Sequence, residues 1–468
     1  MRDVQRRCRT ASVVTMGWVC VLGAASPRAQ STAVSAAPAA QAPPTATPGS
    51  PIAARPPLPN RVNDLMPSWL RLRGEFRERL EGVQGSGFVA HRDDAYALSR
   101  VRLHASMTPS PHVNVQVQLQ DARVAGKEIG TTGVPFSGAF DLRQAFGEIG
   151  TAKSRVAARV GRQELAYGEQ RLVGHVSWLN TARTFDGARV MLRSAPVQVD
   201  LFATSVVRIL PGAFDRSGNG HTFSGAYATT TKLIPRSSVE PYAFFRTDRQ
   251  VRNEAGLLAA MRQATIGVRW AGSLPARFDY SHDVAVQRGS LGSDAIAAWA
   301  GHFQIRETLP GPNAVKLTAE FNLASGDANA TDGRRGTFDQ LYPTPHDKYG
   351  LTDQVGWRNI RHLRAGLDLS PGRTFLVTAN YHSWWLMDRH DALYNSPGAA
   401  MARIAGGASS SHVGHEIDLQ ISRPLTPQLQ VMGGLAHILP GAFLKEATPG
   451  ASYTFPYLMA TYVFLADR

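Results

Sequence analysis

The chain has 468 residues, of which 43% are hydrophobic, and a formal net charge of +14. Beyond the first thirty residues no stretch is apolar over the ~20 residues that a transmembrane helix needs, which excludes a helical membrane protein. A membrane β-barrel is not excluded, because polar residues alternate with the lipid-facing residues of its strands. The basic excess predicts an anionic partner.

The N-terminus has the features of a cleavable export signal over residues 1–30. A basic start precedes the apolar segment Ala11–Ala25, and cleavage is expected between Ala25 and Gln30. The apolar run is too short for a membrane anchor, and Val19 is too bulky for lipidation of Cys20. Both cysteines fall within this segment, so the mature chain has no disulfide. The segment holds five arginines and one aspartate, so its removal lowers the charge to +10.

Residues 31–66 are rich in alanine and proline and have almost no large apolar side chains. Such a composition cannot bury a core, and it predicts a flexible periplasmic tether. Residues 67–468 are expected to form one further domain.

From Ser68 onward, short segments with a period of two follow one another. Residues 363–369 (LRAGLDL) and 416–421 (EIDLQI) show the alternation of apolar and polar side chains most clearly. A helix cannot separate these two sets of side chains, so the fold class is all-β. About 18 strands are predicted, near residues 68–80, 95–107, 112–123, 139–151, 154–164, 183–194, 196–206, 222–233, 238–247, 262–270, 275–285, 296–306, 314–324, 360–369, 374–383, 413–423, 428–437 and 453–464.

Short and long connections alternate between these segments. Short turns are expected at 108–111, 370–373 and 424–427, and long polar loops at 81–94, 165–182, 325–359 and 384–412. This pattern predicts a membrane-spanning antiparallel β-barrel with short periplasmic turns and long extracellular loops. An even strand count places both chain ends in the periplasm. A secreted β-sandwich or propeller is the soluble alternative, but fewer charges are expected inside its strands.

The charged residues within strands predict which face lines the lumen, since an arginine facing lipid at mid-bilayer costs about 2–4 kcal/mol. With Leu72, Phe76 and Leu80 facing lipid, the intervening charged residues face inward. The predicted inward set is Arg73, Glu75, Arg77, Arg79, Arg100, Arg102, His104, Arg143, Arg189, Arg269, Asp279, Lys316, Glu320, Arg364 and Asp368. These residues form either cross-strand ion pairs or, where arginines remain unpaired, an electropositive conduit for anions.

Two long motifs go beyond the general pattern of a barrel. They are GRQELAYGEQRLVG (161–174), which continues as WLNTARTFDGARV (178–190), and SGDANATDGRRGTFDQLYPTPHDKYGLTDQ (325–354), followed by GWRNI (356–360). With RLRGEFRERL (71–80) and LPGAFLK (439–445), they resemble the alginate-export family of outer-membrane porins over residues 68–465. The resemblance implies an 18-strand barrel with an arginine-lined pore that passes an anionic polyuronate outward. The matching residues are Arg73, Arg77, Arg143, Arg162, Glu164, Arg171, Arg183, Asp186 and Arg189, with Asp327, Asp339 and His346 in the long loop.

The predicted function is therefore a passive outer-membrane channel that exports an anionic polysaccharide such as alginate. The alternative is a general or small-anion diffusion porin. The pore-lining candidates for substrate binding are Arg73, Arg77, Arg102, Arg143, Arg162, Glu164, Arg171, Arg183, Asp186, Arg189 and Arg364. Turn formation is an alternative role for Asp186–Gly187 and for residues 325–327.

The long loop 325–359 is predicted to act as a lid or as a constriction folded into the lumen. Its acid-rich start suits Ca²⁺, although the spacing does not match an EF-hand. We expect no cofactor, no resident metal and no nucleic-acid partner in a monomer of the Gram-negative outer membrane, with outer-membrane lipid around it and periplasmic export partners beside it. An enzyme is not expected, because His302, His362, His382, His412 and His415 lie in no nucleophile motif.

Overall fold

In the computed structural model, eighteen antiparallel strands form a closed barrel within the described residues, 61–253, 256–371 and 375–465. The predicted signal peptide and residues 31–60 of the predicted tether lie outside the described residues. The strands are β1 Leu70–Val83, β2 Asp94–Ser110, β3 Val113–Ala125, β4 Gly138–Ile149, β5 Val156–Gln163, β6 Phe185–Ser194, β7 Val197–Arg208, β8 His221–Thr230, β9 Ser237–Arg252, β10 Leu258–Leu274, β11 Phe278–Leu291, β12 Asp294–Thr308, β13 Lys316–Ala324, β14 Ile360–Leu369, β15 Leu376–Leu386, β16 His412–Pro424, β17 Leu429–Pro440 and β18 Tyr453–Phe464.

The barrel closes because β1 has a partner on each side. It pairs with β2 from Leu70↔Met107 to Val83↔Asp94, and with β18 from Gly74↔Phe464 to Glu81↔Tyr457. Closure satisfies the backbone hydrogen bonds that an open sheet edge would leave unpaired in lipid. The predicted antiparallel barrel and its strand number are confirmed.

Connections at the periplasmic end are short, and the long loops predicted near 81–94, 165–182, 325–359 and 384–412 all lie at the extracellular end. The turn between β6 and β7 has two residues, 195–196, whereas the third and seventh extracellular loops span 164–184 and 325–359. We call these two loops L3 and L7. Their length leaves enough chain to reach back into the barrel.

Side chains alternate between the lipid-facing surface and the lumen. On β1, Phe76 and Leu80 are 41% and 52% exposed, whereas Arg77 and Arg79 are buried. The exposed apolar residues face outward, where a bilayer covers them, and the arginines face a lumen filled by loops. The residues predicted to face inward therefore do so on β1.

L3 and L7 pair with each other inside the barrel. Val173 forms a parallel bridge with Tyr342, and the Tyr342 amide donates to the Leu172 carbonyl oxygen at 2.8 Å. Tyr342 also packs edge-on against Phe223 of β8, with ring centroids 4.9 Å apart. The largest hydrophobic cluster thus lies inside the barrel, and it includes Tyr167, Phe185, Phe202, Phe223, Tyr227, Tyr242, Phe244, Phe338, Tyr342, Tyr349 and Trp357.

Two short α-helices flank the barrel, α1 Val62–Leu65 and α2 Ala442–Ala447. In α1, Asn63 Nδ2 donates to the carbonyl oxygens of Leu72 and Leu465 at 2.8 and 2.9 Å. The tether predicted for 31–66 therefore ends in a helical turn attached to both ends of the barrel wall. No helix in the described part of the chain is long and apolar enough to cross a bilayer.

Gly161 and Gly187 face each other across β5 and β6. Their φ values are +128° and +152°, and a Cβ on either would lie 2.2 Å from a carbonyl oxygen of the neighbouring strand. This close approach requires glycine at both positions. Asp186–Gly187 lies within β6, so the predicted turn at this dipeptide is wrong.

Candidate functional site

A cluster of arginines projects into the lumen from β1, β2 and β4. Arg77 and Arg79 share the lumenal face of β1, Arg100 and Arg102 share that of β2, and Arg143 lies on β4. All five side chains are buried. We call this cluster the basic wall. Cross-strand pairing places Arg77 directly opposite Arg100, so the two guanidinium groups share one level of the barrel.

The basic wall binds the backbone of L3. Arg77 donates to the carbonyl oxygen of Ser177 at 2.9 Å and to Asn180 Oδ1 at 3.0 Å. Arg79 donates to the Trp178 carbonyl oxygen at 2.6 Å, and Arg100 donates to that of Ser177 at 3.0 Å. Carbonyl oxygens carry only partial charge, so these contacts satisfy some of the guanidinium donors without neutralising the positive charge.

Carboxylates near the basic wall are fewer than its arginines. Arg79 pairs with Glu81 at 2.6 Å, and Arg100 pairs with Glu75 at 2.6 Å. The Glu75 carboxylate is also 4.0 Å from Arg102, whose Nε donates to Gln120 at 2.7 Å. Arg143 pairs with Glu164 at the start of L3. Arg77 has no carboxylate partner among the described residues.

Arg73 lies near the periplasmic end of β1, on the same face as Arg77. Its side chain is exposed, and no hydrogen bond or ion pair with another described residue is formed. It is therefore a free cation at the periplasmic entrance of the lumen.

The residues around L3 shift the pKa values of its Glu164 and Arg183. Burial opposes ionisation of Glu164, but Arg143 and His175 lower the pKa of this carboxyl to about 2. Burial lowers the pKa of Arg183 to about 10, partly offset by Tyr342. Arg183 donates only to the carbonyl oxygens of Gly174 and Pro343, at 3.1 and 3.0 Å. Both groups remain charged at neutral pH.

A second ion-pair centre joins L3 to the opposite side of the barrel. Glu320 of β13 accepts from Arg171 of L3 at 2.9 Å and from Arg364 of β14 at 2.6 Å. Burial favours the neutral form of Arg171, but Glu320 and Tyr349 raise its pKa above the ordinary value. Glu320 is completely buried, so it holds these two arginines in place.

Polar residues on β12–β16 form a continuous chain of close contacts around Glu320. His302 shares a 2.8 Å hydrogen bond with Asn322, which lies 2.9 Å from His362. His362 shares a 2.9 Å hydrogen bond with His382, and His382 Nε2 is 3.1 Å from Asp418. With Glu320 and Glu416, these residues form what we call the acid–histidine wall.

The acid–histidine wall binds L7. The Thr352 hydroxyl donates to Glu416 at 2.6 Å, and its amide donates to the same carboxylate at 3.2 Å. The Leu351 amide donates to Asp418 at 3.3 Å. Here the wall supplies acceptors and the loop supplies donors, the reverse of the contact between the basic wall and L3.

An aromatic contact joins the two loops directly. Trp178 of L3 stacks on His346 of L7 with ring centroids 3.8 Å apart, and the Arg79 guanidinium lies 3.8 Å from the centre of the Trp178 ring. His346 also lies 2.9 Å from Asp353. The loop residue His346 therefore contributes to packing between L3 and L7.

Most predicted pore-lining residues lie inside the barrel, but two do not. Arg189 faces the lumen and pairs with Asp200. Arg162 pairs with Asp186 at 2.8 Å. Both residues lie on the same face of the barrel wall as Val160, which is 63% exposed, and the residues between them along each strand face the lumen. The prediction that Arg162 and Asp186 line the pore is wrong, because the strand alternation points them to the outer surface near the extracellular end.

In L7, Asp327 and Asp339 have structural partners. Asp327 accepts from the amides of Asn329 and Gly336 at 2.9 and 2.6 Å, which closes a turn. Asp339 accepts from Arg246 of β9 at 2.7 Å. Among the described residues, no group of three or more His, Cys, Asp or Glu side chains is placed to hold a metal ion.

Sequence reasoning missed the acid–histidine wall. A signal for it was present in the sequence of β16. Glu416 and Asp418 were predicted to lie opposite the apolar face of this strand, and no basic residue lies between them on the same face. His302, His362 and His382 lie on non-adjacent segments of the sequence, so only barrel register brings them together.

The sequence matches the family model for alginate export over residues 68–457. A search of curated proteins found no significant match. Among solved structures, the chain is similar to OccK11 (OpdR) of Pseudomonas aeruginosa, with a TM-score of 0.56 and 12% identity over 84% of this chain and 96% of that chain. For the outer membrane protein opdK of the same organism, the TM-score is 0.57 and the identity 11%, over 84% of this chain and 98% of that chain. For OccAB2 of Acinetobacter baumannii, the TM-score is 0.55 and the identity 9%, again over 84% of this chain and 98% of that chain.

At these identities the structural similarity shows the fold alone. The family match, in contrast, extends from two residues before β1 into β18 and covers nearly the whole barrel. The matched region includes both loops and both walls. The protein is thus a channel-type β-barrel of the Gram-negative outer membrane, and the chain belongs to the alginate export family.

Proposed function

We propose that the barrel is a passive, anion-selective channel that exports an anionic polysaccharide such as alginate. The observation that carries the proposal is the excess of guanidinium groups on the basic wall. Five arginines there face three carboxylates, Glu75, Glu81 and Glu164, and Arg77 contacts only neutral oxygen atoms. Such a surface attracts anions and repels cations.

The contacts of the arginines suit transient binding. A guanidinium group offers five donors, and a carbonyl oxygen or a glutamine amide occupies only some of them. The Nε of Arg77 and the Nη2 of Arg102 are buried without a hydrogen-bond partner in the structure. Because these two atoms are buried, a passing carboxylate gains its charge-assisted hydrogen bonds from the exposed Arg73 instead. Binding stays weak at each step, which conduction of a polymer requires.

A small-anion diffusion channel is the second candidate. The observation that favours it is the packing of L3 and L7 inside the barrel, where Trp178 stacks on His346 and Tyr342 contacts Phe223. Loops anchored in the lumen narrow the path for a polymer more than for a small organic acid. Both candidates share the electropositive lumen, so they differ in the size of the solute.

Reconstitution of the full barrel in a planar bilayer tests the proposal. We expect an anion-selective reversal potential under a salt gradient, and a reversible current block by polymannuronate. Arg73→Gln removes a free lumenal cation and is expected to lower the anion-to-cation permeability ratio by about fivefold, since one charge at close range in water is worth about 1 kcal/mol.

Arg423→Gln is the matched control. Arg423 is exposed near the periplasmic end of β16, on the same outward face as Ile417 and Ile421, so its replacement leaves selectivity unchanged. An anion-selective current that ignores polymannuronate but is blocked by a small dicarboxylate would favour the diffusion channel. A current without ion selectivity contradicts both candidates.

A further inference from the structure

Three exposed arginines lie near the extracellular ends of β9, β10 and β11. Arg262 and Arg288 are exposed and alternate with the buried residues Gln263 and Gln287. Arg249 of β9 is also exposed, beside the buried Asp248. Arg262 and Arg288 therefore lie on the outer surface of the barrel, and Arg249 lies at its extracellular rim, where β9 is bulged after Asp248.

The register of the strands sets the spacing of this row. Arg262 pairs with Thr247, two residues before Arg249, and with Ser290, two residues after Arg288. Such diagonal neighbours on adjacent strands lie about 7–8 Å apart. Arg262 and Arg288 are thus diagonal neighbours on adjacent strands, and Arg249 extends this row to the rim, where its side chain packs beside Gly220.

The row lies at the upper edge of the apolar belt. Just below it, Phe245, Val286 and Trp299 face outward and are 50%, 46% and 44% exposed. Val286 pairs with Trp299, and Arg288 is the next outward residue above Val286. Outward aromatic residues mark the interface between hydrocarbon and headgroups in outer-membrane barrels. The arginine row is therefore at the level of the headgroups of the outer leaflet.

No carboxylate neutralises this row. Within the described residues, Arg249 and Arg262 form no hydrogen bond or ion pair, and Arg288 donates only to the Gln287 carbonyl oxygen at 2.7 Å. Two other outward arginines at this end are paired: Arg123 with Asp121 at 2.6 Å, and Arg162 with Asp186. The row has no such carboxylate partner among the described residues.

A cleft of about 460 Å³ adjoins the upper end of the row. It is lined by Arg208, Asn219, His221, Arg249 and Gln250. Arg208 is exposed and has no hydrogen-bond or ion-pair partner among the described residues. The cleft adds a second unpaired cation beside Arg249 and provides space for a polar headgroup.

We propose that this row binds a phosphate-bearing glycolipid of the outer leaflet. The planar guanidinium group matches phosphate in a bidentate geometry, and the apolar surface directly below accommodates acyl chains. Neighbouring arginines that contact one headgroup lose their mutual repulsion when a phosphate lies between them. The site is independent of the lumen and of the solute that the channel conducts.

Native mass spectrometry of the full barrel in detergent tests the proposal, with diphosphorylated lipid A as the probe. The double variant Arg262→Gln/Arg288→Gln is expected to bind at least about tenfold more weakly than the unaltered protein, because two charge-assisted contacts are lost. The control Arg423→Gln removes an outward arginine at the other end of the barrel and is expected to bind as well as the unaltered protein. The Arg262→Lys/Arg288→Lys variant is expected to fall in between.

Each other result decides against the proposal. Equal binding of dephosphorylated lipid A would mean that only the apolar belt is involved. Displacement by millimolar inorganic phosphate would indicate a site for free phosphate. A glutamine variant that binds as tightly as the unaltered protein would show that the two arginines are not the basis of binding. Heat-dependent gel mobility of every variant verifies that the barrel is folded.

Discussion

The two walls of the lumen hold one loop each, by opposite means. The basic wall donates hydrogen bonds to the carbonyl oxygens of L3, and the acid–histidine wall accepts hydrogen bonds from the amides and the hydroxyl of L7. Arginine cannot lose its proton, so the first wall keeps its charge. The second wall uses buried carboxylates, one of which, Glu320, is paired with Arg171 and Arg364. The same task, anchoring a loop, is thus performed by guanidinium donors on one side of the lumen and by carboxylate acceptors on the other.

The largest effect is expected from Glu320→Gln, which tests how the acid–histidine wall holds its partners. The substitution leaves the buried Arg171 and Arg364 without their shared carboxylate. Removing one partner from a buried ion pair costs about 3–5 kcal/mol, and we expect the free energy of unfolding to fall by that amount. Urea unfolding of the refolded barrel in micelles measures it.

Gln304→Ala is the control for this prediction, since Gln304 is uncharged and donates a single hydrogen bond to the Glu320 carboxylate at 3.1 Å. Its expected cost is about 1.5 kcal/mol. If Glu320→Gln costs no more than the control, Glu320 does not hold L3 to the strands through charge.

The next largest effect is expected from Arg77→Met on the basic wall. L3 loses donors to the Ser177 carbonyl oxygen and to Asn180, while Arg100 still binds Ser177. We expect the free energy of local opening to fall by about 1.4 kcal/mol, so that amides 177–180 exchange hydrogen about tenfold faster. Hydrogen exchange with mass spectrometry resolves this segment.

Arg73→Met serves as the comparison for Arg77→Met. It removes an arginine from the same strand and face, but one that forms no hydrogen bond or ion pair with another described residue. Exchange in L3 should stay unchanged in this variant. Equal acceleration in both variants would mean that L3 responds to the net charge of the wall and not to the hydrogen bonds.

The smallest effect concerns the contact between the two loops. Trp178→Phe and His346→Ala each weaken the 3.8 Å ring stack, and a double-mutant cycle isolates their interaction. We expect a coupling of about 0.5–1.5 kcal/mol in the free energy of unfolding. Additive effects, with no coupling, would show that L3 and L7 are held by the two walls independently.

The sequence was sufficient to predict the barrel, because alternation is a local property of each strand. Residues 363–369 and 416–421 show which side chains face lipid without any tertiary information, and the eighteen predicted segments match the eighteen strands. The basic wall was predictable for the same reason. Arg102 lies between the outward residues Val101 and Leu103, and Arg77 follows the outward residue Phe76, so the lumenal face was the one expected to hold these arginines.

The partners of these residues were not predictable. Arg162 and Asp186 appear in a motif together with lumenal residues, but strand alternation from the exposed Val160 sends their side chains outward. The contact between Arg77 and L3 joins residues 100 positions apart, and no local pattern encodes it. Loop conformation inside a barrel depends on packing against many strands at once.

The pairing of β1 with β18 has a consequence for L3. Glu81 and Tyr457 are aligned across almost the entire barrel sequence, so the pairing at this seam carries a large loop-closure entropy. Arg77 and Arg79, which hold L3, belong to the seam strand itself. The strand that seals the wall therefore also anchors L3, and opening of this seam is expected to loosen L3 as well as the wall.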